Sequence, residues 1–217
     1  MTTASQRVTP AQAWAELKAG NIRFVAGEPD HPNQGIDRRA VLAEGQAPAT
    51  VLFGCSDSRV AAEMIFDQGL GDMFVVRTAG HIIDSSVLGS LEFATELLNV
   101  PLIAILGHDS CGAVGSTVAS LNDLTIPGGY VRDIVERVGP SILSARSKGK
   151  SRLDEFEAEH VVETGRLLMQ RSLLIKGRVD AGEVAIVGLT YHLAEGRVAL
   201  RSVIGDVGDE PGEPVEV

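Results

Sequence analysis

The sequence has few cysteines, a deficit of positive charge and no long hydrophobic run. Only 2 of its 217 residues are cysteine, which argues against a disulfide scaffold and favours a metal-binding or catalytic role for the thiols. Lys and Arg total 19 against 29 Asp and Glu, and this net charge of −10 argues against a nucleic-acid partner. No apolar run approaches the roughly 18 residues that cross a bilayer, and the first ten residues contain no apolar signal segment. We therefore expect a cytoplasmic protein with no nucleic-acid or membrane partner.

Short apolar runs alternate with helical patterns from Thr50 onward, which is typical of an α/β fold. The first three runs are almost continuously apolar, as expected for a mostly parallel central sheet that helices cover on both faces. The last run follows a short hairpin-type connection and is predicted to be an antiparallel edge strand. The strand candidates are Thr50–Gly54, Met73–Thr78, Leu102–Gly107, Val184–Leu193 and Val198–Ile204.

Helical patterns precede and connect these strands. Thr9 and Gln12 have the spacing of a capping box, which predicts an N-terminal helix that ends at Gly20. Asp84 is the predicted N-cap of a later helix, and Pro140 should break or kink another. The later helix candidates are Asp84–Asn99, Tyr130–Ser147 on both sides of its proline, and Ser151–Lys176 with Leu153 and Leu174 among its inward residues.

The chain is predicted to form one domain over residues 1–205. Residues 1–27 are the helical arm, and a polar loop separates the arm from the body. Trp14, Leu17 and Phe24 must be buried against something, so we expect the arm to pack on a neighbouring subunit. Residues 206–217 are acidic and rich in Gly and Pro, which predicts a flexible tail.

Two of the predicted strands end in polar clusters that could bind a metal. Cys55 follows the first strand, and His108 and Cys111 follow the third. Ligands bind at the carboxyl ends of parallel strands, so the three side chains converge if these strands are neighbours. Two thiolates and one imidazole suit Zn²⁺ and leave a fourth position open, as in catalytic zinc sites. The alternatives are a disulfide, two inert buried cysteines, or a structural zinc site that Asp57 completes.

The pattern C-x-D-x-R, followed about fifty residues later by H-x-x-C, resembles the β-class carbonic anhydrases, and most closely their actinobacterial members. This resemblance implies that Cys55, His108 and Cys111 bind one Zn²⁺ per subunit, whose bound hydroxide attacks CO₂ to form bicarbonate. It also implies that Asp57 and Arg59 form a catalytic pair. Asp57 would accept the proton on the zinc-bound oxygen, and would itself ligate zinc only in a closed state.

The same resemblance implies a substrate pocket. Gln46 would donate a hydrogen bond to a substrate oxygen. Phe74, Ala79 and Phe93 would line an apolar CO₂ pocket. Leu52 replaces a Trp that contributes to an inhibitory bicarbonate site in some members, which favours the open state. Gly112, which follows the last zinc ligand, is the remaining substrate-binding residue that the resemblance implies.

The resemblance further implies a homodimer, or a tetramer of paired dimers. Two other functions stay open for this sequence. One is a non-catalytic module that binds zinc or bicarbonate, with Asp57 closing the metal site. The other is a hydrolase of a related heterocumulene such as carbon disulfide. His81 is a candidate proton relay, whereas His160 is expected to have a structural role.

Overall fold

The computed structural model describes residues 8–210. Within this range, five strands form one sheet in the order β2-β1-β3-β4-β5. The first four are parallel, and β5 pairs with β4 in the antiparallel sense. This arrangement confirms the predicted fold class. The strands are β1 (Thr50–Cys55), β2 (Met73–Thr78), β3 (Leu102–His108), β4 (Ala185–Tyr191) and β5 (Val198–Ile204).

Helices lie on both faces of this sheet, and no helix of the described chain is long and apolar enough to cross a membrane. Short helical turns follow β2 at Ala79–His81 and follow α4 at Phe93–Leu97. The helices are α1 (Pro10–Ala26), α2 (Ile36–Leu42), α3 (Ala62–Ile65), α4 (Ser85–Glu92), α5 (Gly112–Asp123), α6 (Val131–Ser147), α7 (Leu153–Arg171) and α8 (Leu173–Asp180).

The sheet divides the core into two apolar layers because successive side chains of a strand point to opposite faces. Val51 and Phe53 of β1 pack with residues of α4, α7 and α8. Leu52, between them, packs on the other face with residues of α1 and α3. All six residues of β1 and all seven of β3 are buried, which explains why these strands appear in the sequence as continuous apolar runs.

Helix α1 is longer than predicted. Its capping box is confirmed, since Thr9 Oγ1 accepts from the Gln12 N–H and Gln12 Oε1 accepts from the Thr9 N–H. The predicted end at Gly20 is wrong, because the helix continues to Ala26 and Gly27 terminates it in the left-handed conformation. Gly20 instead permits a close approach, since a Cβ atom there would lie 1.8 Å from the carbonyl oxygen of Phe66.

The apolar face of α1 is buried by its own chain. Trp14 and Leu17 are each 1 % exposed, so the inference that they need a neighbouring subunit for burial is wrong. A contact between the arm and a second subunit stays a prediction. The Trp14 indole N–H donates to Asp209 Oδ2 at 2.7 Å, and Val207 is buried beside the same core. The expected flexible tail is therefore wrong for residues 206–210, and residues 211–217 lie outside the described part.

Two helix predictions also need correction, namely the break at Pro140 and the single helix 151–176. Pro140 lies within the continuous helix α6, where it is exposed while Val138 and Ile142 on either side are buried and hold both turns on one core. The predicted helix 151–176 is two helices, because Ser172 is extended and its hydroxyl caps the Ile175 N–H. The direction of the chain changes there, and the predicted inward residue Leu174 is 52 % exposed. Leu153, also predicted inward, is 39 % exposed at the first position of α7.

Candidate metal centre

The two predicted ligand clusters meet at the carboxyl ends of β1 and β3. Cys55 is the last residue of β1, His108 is the last residue of β3, and these neighbouring strands are parallel. Cys111 is the N-cap of α5. The candidate ligand atoms of the three residues all lie within 4.8 Å of one another, and all three residues are buried. The sequence therefore predicted correctly that these side chains converge.

The orientation of His108 suits a metal ligand. Its Nδ1 lies 2.8 Å from the carbonyl oxygen of Asp109, and a carbonyl only accepts, so Nδ1 carries the proton. Nε2 therefore presents a lone pair, and this buried atom has no hydrogen-bond partner in the described chain. A backbone acceptor that fixes the tautomer of a ligating imidazole is usual around protein-bound metals.

The contact between the two cysteines shifts their pKa values in opposite directions. A hydrogen bond from Cys111 lowers the pKa of Cys55 to about 4 against the opposing effect of burial, and contacts with His108 and the Gly80 N–H act in the same direction. The Cys55 thiolate and burial together raise the pKa of Cys111. A divalent cation is what would stabilise both thiolates. Two thiolates and one imidazole fit Zn²⁺, so the donor set agrees with the cofactor predicted from the sequence.

A clamped carboxylate lies beside this cluster. Arg59 holds Asp57 in a bidentate pair, with Nε donating to Oδ1 at 2.9 Å and Nη2 to Oδ2 at 2.7 Å. This arginine holds the pKa of Asp57 well below its ordinary value, so the carboxylate stays charged. Asp57 Oδ2 lies 3.8 Å from His108 Nε2, which places the carboxylate at the edge of the ligand cluster.

Two arginines connect the loops that carry the site. Arg59 Nη2 also donates to the carbonyl oxygen of Ser110, which joins the loop after β1 to the loop after β3. Arg77 of β2 donates to the carbonyl oxygens of Cys55 and Asp57, at 2.8 and 2.7 Å. The backbone of the first ligand and of the clamped carboxylate is thus fixed from the neighbouring strand.

Two further residues that the sequence analysis missed contact the cysteine ligands. The Gly80 N–H donates to Cys55 Sγ at 3.3 Å, and Glu157 Oε1 accepts from the Cys111 N–H at 2.7 Å. Burial raises the pKa of Glu157 to about 7. The available signal was helical periodicity, because Glu157 precedes the buried Val161 by four residues and therefore places a carboxylate on the inward face of α7.

The predicted substrate-binding residues do not converge as the three candidate metal ligands do. Phe74 and Phe93 stack, with ring centroids 6.1 Å apart, but Phe93 is 43 % exposed. Ala79 follows β2 and is exposed, and Gly112 is an exposed residue at the start of α5. Gln46 is exposed in the segment after α2, where it makes no hydrogen bond to the described residues. The structure thus supports an apolar Phe74–Phe93 contact and leaves Gln46 apart from the metal cluster.

The two remaining buried histidines differ in their bonding. His81 is 2 % exposed and neither of its ring nitrogens has a hydrogen-bond partner in the described chain, so its role as a proton relay stays a prediction. His160 has partners at both nitrogens, as a structural role requires.

Fold and candidate ligands together define an α/β protein with a three-residue cysteine and histidine cluster, able to hold a metal ion, at the ends of parallel strands. A sequence model of the carbonic anhydrase family matches residues 50–198, a range that contains Cys55, Asp57, Arg59, His108 and Cys111. The match covers more than half of the chain. The chain therefore belongs to the carbonic anhydrase family, and to its β class.

Curated relatives and solved structures agree with this assignment. The chain is 64% identical to carbonic anhydrase 2 of Mycobacterium tuberculosis over 201 residues, which cover 93% of this chain and 97% of the relative. It is 63% identical to a carbonic anhydrase of Mycolicibacterium smegmatis over 92% of this chain and 97% of the relative. The fold is similar to that of a Coccomyxa β-carbonic anhydrase, with a TM-score of 0.70, 21% identity, and coverage of 81% of this chain and 83% of that chain. The resemblance to actinobacterial members is confirmed.

Proposed function

We propose that the protein is a zinc-dependent carbonic anhydrase that converts CO₂ and water reversibly into bicarbonate and a proton. The observation that carries this proposal is the buried cluster of Cys55, His108 and Cys111 beside a carboxylate clamped by arginine. Membership of the family supports the reaction, and the thiolate and imidazole donors support zinc. One Zn²⁺ per subunit would activate water as the nucleophile at neutral pH.

The protein supplies three ligands and keeps a fourth coordination position for the reactant. The carbonyl of Asp109 holds His108 in the tautomer whose Nε2 can bind metal. Glu157 accepts from the backbone N–H of Cys111, and the Gly80 N–H donates to the sulfur of Cys55. These contacts fix the ligands before the metal binds, so little reorganisation is needed at the site.

Asp57 orients the reacting water in this proposal. Because its carboxylate stays charged, Asp57 can accept a hydrogen bond from that water but cannot donate one, and so it directs the oxygen lone pair toward CO₂. Arg59 engages both carboxylate oxygens and restrains Asp57 from becoming the fourth metal ligand. The clamp favours the open state over a non-catalytic module that Asp57 closes.

We also propose that the substrate side is completed by a second copy of the chain. Phe93 and Leu97 are 43 % and 67 % exposed. Both lie in the short helical turn after α4, and Phe93 stacks on Phe74 of the edge strand β2. An apolar surface at an open strand edge is a typical site of self-association. We therefore expect a homodimer at least, with a tetramer as a further possible assembly, and the cytoplasmic location stays a prediction.

Stopped-flow CO₂ hydration between about pH 6 and 9 tests the function when zinc content is measured on the same samples. We expect one zinc per chain and a rate that rises with pH. A fully zinc-loaded protein without hydration activity would contradict the proposal in favour of the non-catalytic module. Hydrolysis of carbon disulfide without CO₂ hydration would instead identify a heterocumulene hydrolase.

A further inference from the structure

The Cys55 sulfur accepts a hydrogen bond from a peptide group in an unusual conformation. Gly80, which donates this bond, has φ 66 and ψ 23 and lies in the short turn after β2. A Cβ atom at this position would lie 2.7 Å from the Cβ of Ala113, so a side chain is excluded by space as well as by conformation. The backbone conformation of this one residue therefore determines whether its N–H reaches the sulfur.

His160 of α7 holds the other side of the same residue. Its Nε2 lies 2.8 Å from the carbonyl oxygen of Gly80, and since a carbonyl only accepts, Nε2 carries the proton. Nδ1 must then accept, and it lies 2.9 Å from the hydroxyl of Ser141 on α6. Burial lowers the pKa of His160, which keeps the ring neutral and in this tautomer. Ser141 therefore donates to His160, and His160 donates to the carbonyl of Gly80. The N–H of Gly80 in turn donates to the Cys55 sulfur.

We propose that His160 is a positioning residue that orients Gly80 toward the Cys55 sulfur and thereby tunes how strongly this thiolate donates to the bound metal. The inference rests on the proposed metal site. A thiolate that accepts a hydrogen bond donates less electron density to its metal, which leaves the metal the stronger Lewis acid. Without His160 the Gly80–His81 peptide can rotate, which changes the φ and ψ angles of Gly80. The N–H···S bond made by the preceding peptide then weakens, and the sulfur donates more.

His81 provides a matched control for this effect. It is the next residue after Gly80, it is buried, and its ring lies 4.3 Å from that of His160. Neither of its ring nitrogens has a hydrogen-bond partner among the described residues. Replacing its side chain therefore perturbs the same part of the core, including the surroundings of the His160 ring, without removing a hydrogen bond to Gly80. Its φ of 39 is left-handed, and His81→Asn is suitable because Asn tolerates this conformation.

Absorption spectroscopy of the cobalt-loaded protein tests the proposal directly. The sulfur-to-cobalt charge-transfer band reports the energy of the thiolate lone pair, which a hydrogen bond lowers. We expect His160→Leu to move this band to longer wavelength and His160→Gln to restore it, because the Gln amide can still donate an N–H. His81→Asn should leave the band unchanged. Ser141→Ala should give a smaller shift in the same direction as His160→Leu.

A second measurement separates positioning from general damage to the fold. The zinc-loaded His160→Leu protein should lose about 10-fold in kcat/KM at pH 7 and recover most of it at alkaline pH, because the weaker Lewis acid needs a higher pH. An equal loss at every pH, or a folded His160→Leu protein with the wild-type cobalt band, overturns the proposal. If His160→Leu does not fold, an unshifted band in Ser141→Ala overturns it. Absence of cobalt binding by the wild type overturns the metal site as well. Active CO₂ hydration by the wild type together with an unshifted cobalt band in His160→Leu overturns only the role of His160.

Discussion

The metal side of the site and its substrate side are built in different ways. Cys55, His108 and Cys111 are buried, and hydrogen bonds from their own chain hold each of them. Gln46 and Phe93, on the proposed substrate side, are exposed. One chain therefore supplies a preorganised ligand set but only part of the pocket in which CO₂ would react. The difference indicates that metal binding and turnover can be separated by experiment.

The largest expected effect is the loss of the metal side. Cys55→Ser and His108→Ala should each lose zinc and lower CO₂ hydration by at least about 100-fold, because a three-ligand site has no spare donor. Metal analysis and stopped-flow kinetics on the same samples measure both losses. His31→Asn is the control, since His31 is exposed and remote from the cluster in the fold. Full zinc content in either ligand variant would show that the ligand set is wrong.

Removing Arg59 should lower the hydration rate while the zinc content stays unchanged. Arg59→Ala frees Asp57 to become a fourth metal ligand, so zinc content should stay near that of the wild type while hydration falls about 100-fold. Zinc analysis and a pH series of hydration rates measure the two effects. Arg132→Ala, at an exposed pair with Glu136, is the control. Wild-type hydration by Arg59→Ala above about pH 8, roughly one unit past the pKa of water on protein-bound zinc, would rule out this role of the clamp.

Dissociation of the proposed homodimer should lower the rate of CO₂ hydration. Leu97→Glu places a charge on the exposed apolar surface of the turn that carries Phe93, and we expect smaller particles in light scattering, reduced hydration and unchanged zinc content. Leu124→Glu, at a 90 % exposed leucine after α5, is the matched control. A wild-type protein that is already monomeric and fully active at micromolar concentration would contradict the proposed division between the two sides.

The smallest effect concerns the helix that supports the metal side. Burial opposes the charge of Glu159 on α7, but hydrogen bonds from Lys148 and Lys150 outweigh it and lower its pKa to about 2. A depressed folded-state pKa stabilises the protein above the unfolded value of about 4.3, and this contribution is lost as the pH falls toward 2. Glu159→Gln should lower the free energy of unfolding by about 1–3 kcal/mol at pH 7.

Urea unfolding of both proteins at several pH values measures this difference, which should shrink steadily below about pH 4.3. The exposed pair of Glu136 with Arg132 provides the control, because Glu136→Gln should change the free energy of unfolding by less than about 1 kcal/mol. A difference for Glu159→Gln that is constant with pH would mean that its charge does not stabilise the fold.

The sequence predicts the sheet and the ligand cluster well because both depend on local patterns. A strand buried on both faces must be apolar throughout, so β1 and β3 are recognisable and their ends are correct to within one residue. The polar residues that follow them then converge because neighbouring parallel strands end at the same edge of the sheet.

The errors arise where a tertiary contact overrides a local signal. Gly20 looks like a helix stop, and only the close approach of Phe66 explains a glycine within a longer helix. Glu157 and His160 lie at inward positions of α7, but periodicity cannot identify partners that lie 46 and 80 residues away along the chain. Sequence patterns therefore predict the ligands, and long-range packing determines what holds them in place.

The hydrogen bond between Trp14 and Asp209 bears on how the chain folds during synthesis. The two residues are separated by 195 positions, so the first helix leaves the ribosome long before its last partner is made. At 5–20 residues per second, this interval is about 10–40 s. During that time the Trp14 indole N–H lacks its acceptor and the core beside it lacks Val207, so the contacts of α1 stay incomplete until the segment around Asp209 emerges.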